Sequence, residues 1–511
     1  AAAADDFPIV PDDVAVSLYA SEPLVRNPCA ITFDARGRLC VGMGPQYRKP
    51  KPDTPGDSVW ILLDEDGDGT ADARKQFATG FNSIQGLAWK GRDLYVANAP
   101  ELTIARDLDG DDEADEYVRL YTDLGNLEHG LHGLQFGPDG KLYMSKGNSK
   151  GLTRPPGRIA PGPFRELWGV QTPDLPDFPE PVTYRKGEYR RNYHDPADDW
   201  GLTGGVLRCD PDGANLEIVA RGFRNPWDIC FDDEFTWLGT DNDQTHGDKI
   251  FSPFFGAHFG WGHAWSYDWK GDDHLPTAPS AGPLFEGSGT GVIFCGLPHY
   301  PEKYRGVFLI NDWLRREVLL FRPKWKGAWM QADRAKLEVF AHAGGGRSMA
   351  MSSGRRFDPV DIELGPDGAI YLSSWGREYG LKEEGGRQVN EGRIYRLWPK
   401  AAPPRVEKPT IQRERSIRHW PLEQVYRDLE SPLPARRTNA QEEIIRRQRG
   451  QEFLAQLESQ TPMPTARETW ALWTLGRAQP SDAAFDEWLA ERATGGPGLN
   501  RRIQAIRILA H

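Results

Sequence analysis

The residues best suited to chemistry lie in the segment GNLEHGLHG, from Gly125 to Gly133. His129 follows Glu128, and a histidine beside a carboxylate is a plausible general base, because its pKa is near neutral and a partner fixes its tautomer. His132 lies in the same segment, just beyond Leu131. A structural histidine satisfied by backbone carbonyl groups is the alternative interpretation. We take His129 and Glu128 as candidate catalytic residues.

Polar residues beside other apolar, strand-like runs could share this site. They occur in the segments SIQGL, RGFRNPWD and INDWLRRE, and they are Gln85, Arg224, Asn225, Asp312 and Arg315. If these runs converge on one axis, their polar residues converge with them. We predict a catalytic role for Arg224, and cofactor contacts for Gln85, His132, Asn225, Asp312 and Arg315.

Two acidic loops have the spacing of a calcium-binding loop, DEDGDGTAD at residues 64–72 and DLDGDDEAD at residues 107–115. A hard cation needs several oxygen ligands from one tight turn. Lys75 replaces the final glutamate of an EF-hand, and Asp112 stands where the first loop has Gly69. Solvated Asp-Gly turns are the alternative. The predicted ligands are Asp64, Asp66, Asp68, Asp72, Asp107, Asp109, Asp111 and Asp115, and the ions would brace the fold.

The elements that position these residues come from an internal repeat. An apolar run, a turn of the Asp-Gly kind and a second run such as Leu-Tyr-Val recur from Cys29, Ile84, Leu131, Pro226 and Pro359, and more weakly from Gly291. The alternation and the turn glycine predict β-hairpins. Two hairpins per unit make a four-stranded blade, so residues 1–400 are predicted to form an all-β six-bladed propeller around a central channel. The segment 14–20 would add the outermost strand of the last blade.

Other segments depart from this repeat. Residues from about 150 to 203 and from about 265 to 290 are predicted to be insertions that cover one face of the propeller. Residues 401–420 read as a linker, and residues 421–511 have helical spacing that resembles HEAT-type repeats. Because the chain stops within a helical pattern, we expect the natural protein to continue.

Composition excludes several classes of function. The net charge of −12 argues against nucleic acid as the main partner. No apolar run approaches the ~18 residues of a membrane-spanning helix. The 5 cysteines contain no CxxC pair and no CxxCH motif, which argues against a zinc site, a disulfide scaffold or a c-type haem in this stretch. The initial AAAADD is typical of a cleaved export signal and predicts a periplasmic or secreted protein.

Four motifs together carry a family resemblance. They are Gln85-Gly-Leu, Glu128-His129 before the GPDG turn, RGFRNP at residues 221–226, and TDNDQTHGDKIFSPFFGAHFGW at residues 240–261. Over about residues 15–398 the chain resembles the soluble glucose/aldose (sorbosone) dehydrogenase family. A propeller with a helical tail is more closely similar to the large "membrane-bound dehydrogenase" propeller proteins of planctomycetes and verrucomicrobia, which often end in a haem-binding domain.

The resemblance implies a six-bladed propeller that uses pyrroloquinoline quinone (PQQ) and calcium. It implies that His129 takes the sugar hydroxyl proton during hydride transfer, that Gln85, Arg224 and Asn225 contact cofactor or substrate, and that Arg315 replaces a family lysine. The backbone around Asp243 and Gln244 would hold the cofactor calcium.

The chain departs from the family at the last blade. Where the family has two cofactor-clamping arginines, this sequence has Asp358 and Val360, and Arg355 and Arg356 lie out of register. PQQ is a tricarboxylate that needs cationic partners.

Three hypotheses follow from these observations. The leading one is an exported oxidoreductase that acts on a sugar or sugar derivative, with a quinone-type cofactor, calcium, and a cytochrome or haem domain as electron acceptor. The second is a metal- or His-dependent hydrolase or lyase acting on anionic polysaccharide or lactone, suggested by the missing arginines and by the basic residues Lys150, Arg154, Arg158 and Arg165. The third is a non-catalytic propeller that binds carbohydrate or protein.

Overall fold

The computed structural model describes most of the chain. The described residues are 7–47, 50, 54–122, 124–149, 180–189, 203–243, 248–261, 278–284, 288–327, 329–331, 337–344, 355, 357–376, 383–384, 387–388, 392–405, 416–459, 463–478, 483–495 and 498–511. Much of the two predicted insertions and of the predicted linker therefore lies outside the described residues, as do Gln244 and the four basic residues of the first insertion.

Six antiparallel β-sheets form a closed ring. The innermost strand of each sheet contacts the innermost strand of the next, and the sixth contacts the first. The six inner strands therefore enclose a central channel, and the predicted all-β six-bladed propeller is confirmed. We call the end where the inner strands begin the upper end of the channel.

The strands are numbered along the chain, and the strands of each blade run in order from the channel outward. The first blade has β2 (Pro28–Phe33), β3 (Leu39–Met43), β4 (Asp57–Leu63) and β5 (Ala73–Phe81). The second has β6 (Ile84–Lys90), β7 (Asp93–Asn98), β8 (Glu101–Arg106), β9 (Glu116–Tyr121) and an added β12 (Val182–Arg185). The third has β10 (Leu131–Phe136), β11 (Leu142–Lys146), β13 (Gly204–Cys209), β14 (Glu217–Phe223) and a parallel β18 (Ala257–His258).

The remaining blades follow the same plan. The fourth has β15 (Pro226–Phe231), β16 (Trp237–Asp241), β17 (Lys249–Phe251) and β19 (Gly282–Pro283). The fifth has β20 (Gly289–Cys295), β21 (Val307–Asp312), β22 (Glu317–Phe321) and β25 (Glu338–His342). The sixth has β26 (Pro359–Leu364), β27 (Ile370–Ser374), β30 (Arg393–Pro399) and β1 (Val14–Ser21). Two small hairpins pair β23 (Lys324–Lys326) with β24 (Trp329–Gln331) and β28 (Glu383–Glu384) with β29 (Arg387–Gln388).

The first strand closes the ring. β1 pairs antiparallel with β30, from Val14 opposite Pro399 to Ser21 opposite Arg393, and so becomes the outermost strand of the sixth blade. The predicted role of residues 14–20 is confirmed. The sixth blade therefore contains strands from both ends of the propeller sequence, and the hydrogen bonds between these strands close the ring.

The turn between the first two strands of a blade needs a residue with positive φ, which glycine adopts without strain. Gly140 and Gly368 fill this position in blades three and six, with φ of 84° and 80°. In blade four Phe235 fills it, with φ of 58°. The ring of Phe235 packs against Trp237 and against Trp473 of the helical region, so its side chain has a structural use that glycine lacks.

Six α-helices follow the propeller within the described residues, as the spacing after residue 421 predicts. They are α1 (Leu422–Asp428), α2 (Pro434–Arg446), α3 (Gly450–Ser459), α4 (Thr465–Ala478), α5 (Ala483–Gly495) and α6 (Leu499–Leu509), and short 3-10 turns occur at Glu302–Tyr304 and Ile417–His419. None of the helices in the described part of the chain has the length and apolar character needed to cross a membrane. Their likeness to HEAT repeats stays a prediction.

The helical region packs against the lower side of the propeller. Phe231 and Trp237 of blade four share a hydrophobic core with Trp470 of α4. Glu442 of α2 pairs with Lys90 at the end of β6, with 2.6 Å between Oε1 and Nζ. Apolar packing and ion pairs thus fix the helices beneath the channel.

Candidate functional site

Corresponding residues at the start of the inner strands meet in one small pocket at the upper end of the channel. Each inner strand shows a register shift after its first residue. Five of the six residues at this shift line the pocket, and they are Cys29, Gln85, Trp227, Thr290 and Val360. Tyr47, Trp313 and Trp375 add aromatic rings, and the enclosed volume is about 40 Å³. We call this the upper pocket.

His129 lies in the turn that leads into the third blade. Asn126 holds this turn, because its Oδ1 accepts hydrogen bonds from the backbone N–H groups of Glu128 and His129, at 3.0 and 2.6 Å. The side chain of His129 is only 2% exposed, and its Nδ1 lies 2.7 Å from the carboxamide of Asn148, which follows β11. Asn126, before the first hairpin of the blade, therefore holds the turn, and Asn148, after that hairpin, holds the ring.

The other neighbours of Asn148 decide which ring nitrogen of His129 carries the proton. The carboxamide satisfies its surroundings in the orientation in which its nitrogen donates to His129 Nδ1 and to the carbonyl oxygen of Arg224, at 2.7 and 3.1 Å. Its oxygen then accepts from the indole N–H of Trp261 at 3.3 Å. Because Nδ1 accepts a hydrogen bond, neutral His129 carries its proton on Nε2.

A chain of polar contacts runs from Arg224 across blades four and five. The guanidinium of Arg224 donates to the backbone and side-chain oxygens of Asn242, at 3.2 and 3.1 Å, and lies over the Trp261 ring. Asn242 donates to Ser288, whose backbone N–H donates to Asp312 Oδ1 at 3.0 Å. The backbone N–H of Arg315 donates to the same oxygen, also at 3.0 Å. We call the set His129, Asn148, Arg224, Asn242, Ser288, Asp312 and Arg315 the upper arc.

The upper arc brings together four predicted site residues, whereas three others make separate contacts. His132 Nε2 lies 2.7 Å from Asn225 Oδ1, and the His132 ring stacks on Trp227 with 4.5 Å between centroids. Burial lowers the pKa of His132 to about 3, so it is neutral at physiological pH. Gln85 donates to Ser83 Oγ and to the carbonyl oxygen of Leu127, at 2.7 and 2.8 Å.

The described residues do not fit PQQ. Asp358 is paired with Arg316, with 2.8 Å between Oδ1 and Nε, and Val360 lines the upper pocket. An acidic and an apolar residue therefore occupy the places where the family resemblance implies two cations. Arg355 donates to the backbone oxygen of Phe7 and does not supply the missing charge.

A lysine supplies the positive charge near the predicted cofactor calcium. Lys249 Nζ lies 3.0 Å from Asp241 Oδ2 and 3.1 Å from Asp243 Oδ2. Burial lowers the pKa of Lys249, but the attraction of the two carboxylates outweighs it, so the net shift of this pKa is upward. Asp248 Oδ1 accepts from the backbone N–H of Asp243 at 2.7 Å, and burial raises the pKa of Asp248 to about 8.

The two acidic loops have the same hydrogen-bonding pattern in adjacent blades, between β4 and β5 and between β8 and β9. Asp64 accepts from Gly67 and Gly69 in the first loop, as Asp107 does from Gly110 and Asp112 in the second. Within each of two groups, carboxylate oxygens lie within 4.8 Å of one another, and the groups are Asp64, Asp66, Asp72 and Asp107, Asp109, Asp115. Asp68 and Asp111 instead accept from Thr70 and Glu113 and fall outside these groups.

Asp112 can replace glycine in the second loop because another blade supports it. Its φ is 65°, a conformation that costs an ordinary residue energy but that aspartate tolerates better than most. Arg38 of blade one binds both of its carboxylate oxygens, at 2.7 and 2.8 Å. This loop therefore also links the first two blades.

Sequence reasoning missed Asn148, Asn242, Trp261 and Lys249. Asn148 and Asn242 each follow the second strand of a blade, next to the predicted blade-start residues in space but distant in sequence. A search of strand ends as well as strand starts would have found both asparagines. The spacing of Lys249 from Asp241 and Asp243 in the sequence is the signal that could have predicted this ion pair.

Comparisons with known proteins agree with the fold. Residues 3–159 match a family model described as "Domain of unknown function (DUF7133)". No curated protein matches the chain. The holo PQQ domain of pyranose dehydrogenase from Coprinopsis cinerea is similar at a TM-score of 0.50 and 12% identity, covering 76% of this chain and 96% of that domain.

Two further solved structures are similar at lower scores. PQQ-bound aldose sugar dehydrogenase from Streptomyces coelicolor has a TM-score of 0.43 and 14% identity, covering 76% of this chain and 100% of that one. Apo soluble aldose sugar dehydrogenase from Escherichia coli has a TM-score of 0.44 and 13% identity, covering 76% and 99%. The similarity to the pyranose dehydrogenase domain, at a TM-score of 0.50 and 12% identity, supports the propeller fold and leaves activity to be tested.

Proposed function

We propose that this chain is an exported oxidoreductase that oxidises a sugar or sugar derivative at the upper end of its propeller channel. The observation that carries the proposal is the buried His129–Asn148 pair at the start of the upper arc. Ser288 of the upper arc lines the upper pocket. The aromatic rings of that pocket support a carbohydrate at the upper end, because the polarised C–H groups of a sugar pack favourably on the faces of aromatic rings. Similarity of fold to a pyranose dehydrogenase domain supports the same class of substrate.

Oxidation of a sugar hydroxyl removes a proton from oxygen and a hydride from carbon. In our proposal His129 handles the proton, since it is the histidine at the upper end whose ring is held by a polar side chain of the arc. Taking a proton at Nε2 requires the ring proton to move to Nδ1 and the Asn148 carboxamide to turn. Turning the carboxamide breaks its hydrogen bonds to Arg224 and Trp261. His129 therefore acts as a base only when contacts with a bound substrate offset this loss.

Calcium, export and an electron-accepting partner belong to the proposal as well. Asp64, Asp66 and Asp72, and the equivalent group of the second loop, offer clustered oxygen ligands suited to calcium. A two-electron acceptor of the quinone type would take the hydride from carbon, and a cytochrome or haem domain would then receive its electrons. PQQ is kept as an assay component only, because the described residues do not fit it and we derive no step through it.

A direct assay tests the oxidoreductase. The full chain is incubated with calcium, PQQ, an artificial electron acceptor and a panel of aldoses, with and without each component. We expect acceptor reduction that depends on one sugar and falls at least 100-fold in His129→Ala, because general base catalysis contributes about 10²–10⁴-fold. His299→Ala, a histidine at the other end of the channel, is the matched control. Equal turnover by His129→Ala and the unchanged protein would remove His129 from the mechanism.

A second candidate function is the cleavage of a glycosidic bond or lactone without redox chemistry. It is favoured by Asp358 in place of a cofactor-binding cation. Chromogenic glycosides and sugar lactones, offered without any electron acceptor, distinguish the two functions. Product formation there, with no acceptor reduction in the first assay, favours the hydrolase or lyase. Binding of a sugar with no turnover in either assay favours a carbohydrate-binding propeller.

A further inference from the structure

Below the upper pocket the channel widens into a second, larger space. This cavity has a volume of about 700 Å³, within the range of about 300–1,000 Å³ typical of small-molecule sites. We call it the lower chamber. Gln85 and Trp227 line both spaces and so lie at the boundary between them. Pro434, Ala435 and Arg437 of α2 line the opposite end, so the helical region forms part of the chamber.

Six carboxyl groups line the lower chamber, and three of them, Asp228, Asp361 and Glu363, belong to the inner strands of blades four and six. Two of them also link neighbouring blades. Asp228 Oδ2 accepts from the backbone N–H of Val292 at 2.9 Å, and Asp361 Oδ2 accepts from that of Ile31 at 2.6 Å. Each carboxyl oxygen has two lone pairs, so these oxygens keep acceptor positions beyond the bonds that hold the blades.

An uncharged acceptor is available at the upper boundary of the chamber. Gln85 is 4% exposed, and both of the hydrogen bonds described above come from its nitrogen. Within the described part of the chain its Oε1 has no hydrogen-bond partner. A buried carbonyl without a partner costs about 1–3 kcal/mol, which a donor from a ligand would recover.

We propose that the lower chamber is a second binding site, and that its ligand is a short neutral saccharide. Sugar hydroxyls donate to Gln85 Oε1 and to the carboxyl oxygens, and a C–H face packs against Trp227 and Phe294, which also line the space. The site is separate from His129, so the proposal stands whether or not the upper end is an oxidoreductase.

The charge state of the chamber agrees with a neutral ligand. Burial raises the pKa of Asp361 to about 7, and burial together with Asp361 holds the pKa of Asp228 and Glu363 well above the usual range. Carboxyl groups that keep their protons both donate to and accept from sugar hydroxyls. The basic groups of the chamber, His299, Arg305, Arg405 and Arg437, come with the loops and helices at its lower end.

Calorimetric titration of the full chain tests the site, with glucose, cellotriose and maltotriose as saccharide probes and calcium chloride as the cation probe. Glu363→Met removes a chamber carboxyl at similar volume, and Glu338→Met makes the same change at an exposed position of β25. Leu297→Trp narrows the lower end without removing a polar group. We expect at least tenfold weaker saccharide binding in Glu363→Met and Leu297→Trp, and unchanged binding in Glu338→Met.

Three outcomes would overturn the proposal. Binding lost in His129→Ala but kept in both chamber variants would place the saccharide at the upper end. Calcium heat that is lost in Glu363→Met and kept in Glu338→Met, with none from any saccharide, would make the chamber a cation site. No binding of any probe would mean that the chamber holds only water. Failure of the oxidoreductase assay, in contrast, leaves the titration result untouched.

Discussion

The imidazole of His129 faces the uncharged carboxamide of Asn148. A carboxylate in this place would fix the ring as a general base. Asn148 can donate or accept, and its contacts with Arg224 and Trp261 decide the direction. At the scale of a single residue, the position of the proton on His129 is therefore set by Arg224 and Trp261 through their contacts with Asn148.

Replacing Asn148 with aspartate tests this arrangement. A carboxylate only accepts hydrogen bonds, so in Asn148→Asp the His129 Nδ1 must carry a proton and the pKa of His129 must rise, by about one unit or more. Nitrogen-15 NMR of the ring reports the tautomer, and a pH titration reports the pKa. Asn148→Ala, which removes the partner without adding charge, is the control. An Nδ1 proton already present in the unchanged protein would contradict the assignment.

At Phe235 the packing of the side chain outweighs the strain of a positive backbone φ. Phe235→Ala loses the contacts with Trp237 and Trp473 but keeps the positive φ, and we expect a loss of about 3–5 kcal/mol in the free energy of unfolding. Phe235→Gly loses the same contacts and relieves the backbone, so it should be more stable than the alanine variant by about 1 kcal/mol. Chemical denaturation measures both values. An alanine variant as stable as the glycine variant would show that no strain is present.

At the scale of elements, the two acidic loops repeat the same hydrogen-bonding pattern in adjacent blades. Each loop joins the outer strands of a blade, and each orders itself by hydrogen bonds from backbone N–H groups to aspartate. The second loop is tied to blade one by Arg38, so any ion bound there would stabilise the packing between blades as well as the turn.

Calcium should raise the melting temperature of the full chain, and EDTA should reverse the change. Calcium at one hundred times its dissociation constant would add about 2.7 kcal/mol to the free energy of unfolding. Asp66→Asn should reduce the gain, because Asp66 belongs to the clustered group, whereas Asp68→Asn should reduce it less. Differential scanning calorimetry, with calcium and with EDTA, measures the melting temperature of the unchanged protein and of both variants. A melting temperature that calcium does not change would leave both loops as ordinary turns.

Local pattern was enough to predict the blades, and it was not enough to predict the site fully. Hairpins with a turn such as Gly137–Gly140 reveal themselves within a short stretch of sequence, and β1 could be assigned because one strand was missing from the last blade. The blade-start rule placed His129 and Arg224 together. It did not find Asn148, because the partners of this residue come from other parts of the chain. It did not find Lys249, because this residue lies in the third strand of its blade and not at a blade start.

At the scale of the whole molecule, the propeller buries many acidic groups. Burial raises the pKa of Asp57 and Asp248 to about 8, and that of Asp232 and Asp361 to about 7. In the unfolded chain an aspartate titrates near pH ~3.9. Between these values the folded protein holds protons that the unfolded chain has released, so its stability falls as pH rises.

We therefore expect the melting temperature to be highest near pH ~5 and to fall steadily toward pH ~8. In a protein whose carboxyl groups are exposed, the melting temperature would change little over this range. Scanning calorimetry in a series of buffers at constant ionic strength measures the slope. Asp361→Asn removes one of the responsible groups and should flatten the fall between pH ~5 and ~7, even if it lowers stability overall. A melting temperature that rises over this range would mean that these groups are ionised in the folded protein.

The pairing of β1 with β30 has a consequence for how the molecule is made. Val14 finds its partner only when Pro399 has been synthesised, so a growing chain carries an open ring with one blade short of a strand throughout most of its production. Contacts so distant in sequence make folding slow and leave strand edges exposed meanwhile. A holding chaperone, or passage across a membrane before folding, would suit such a chain, and the last strand to emerge would be the one that completes the ring.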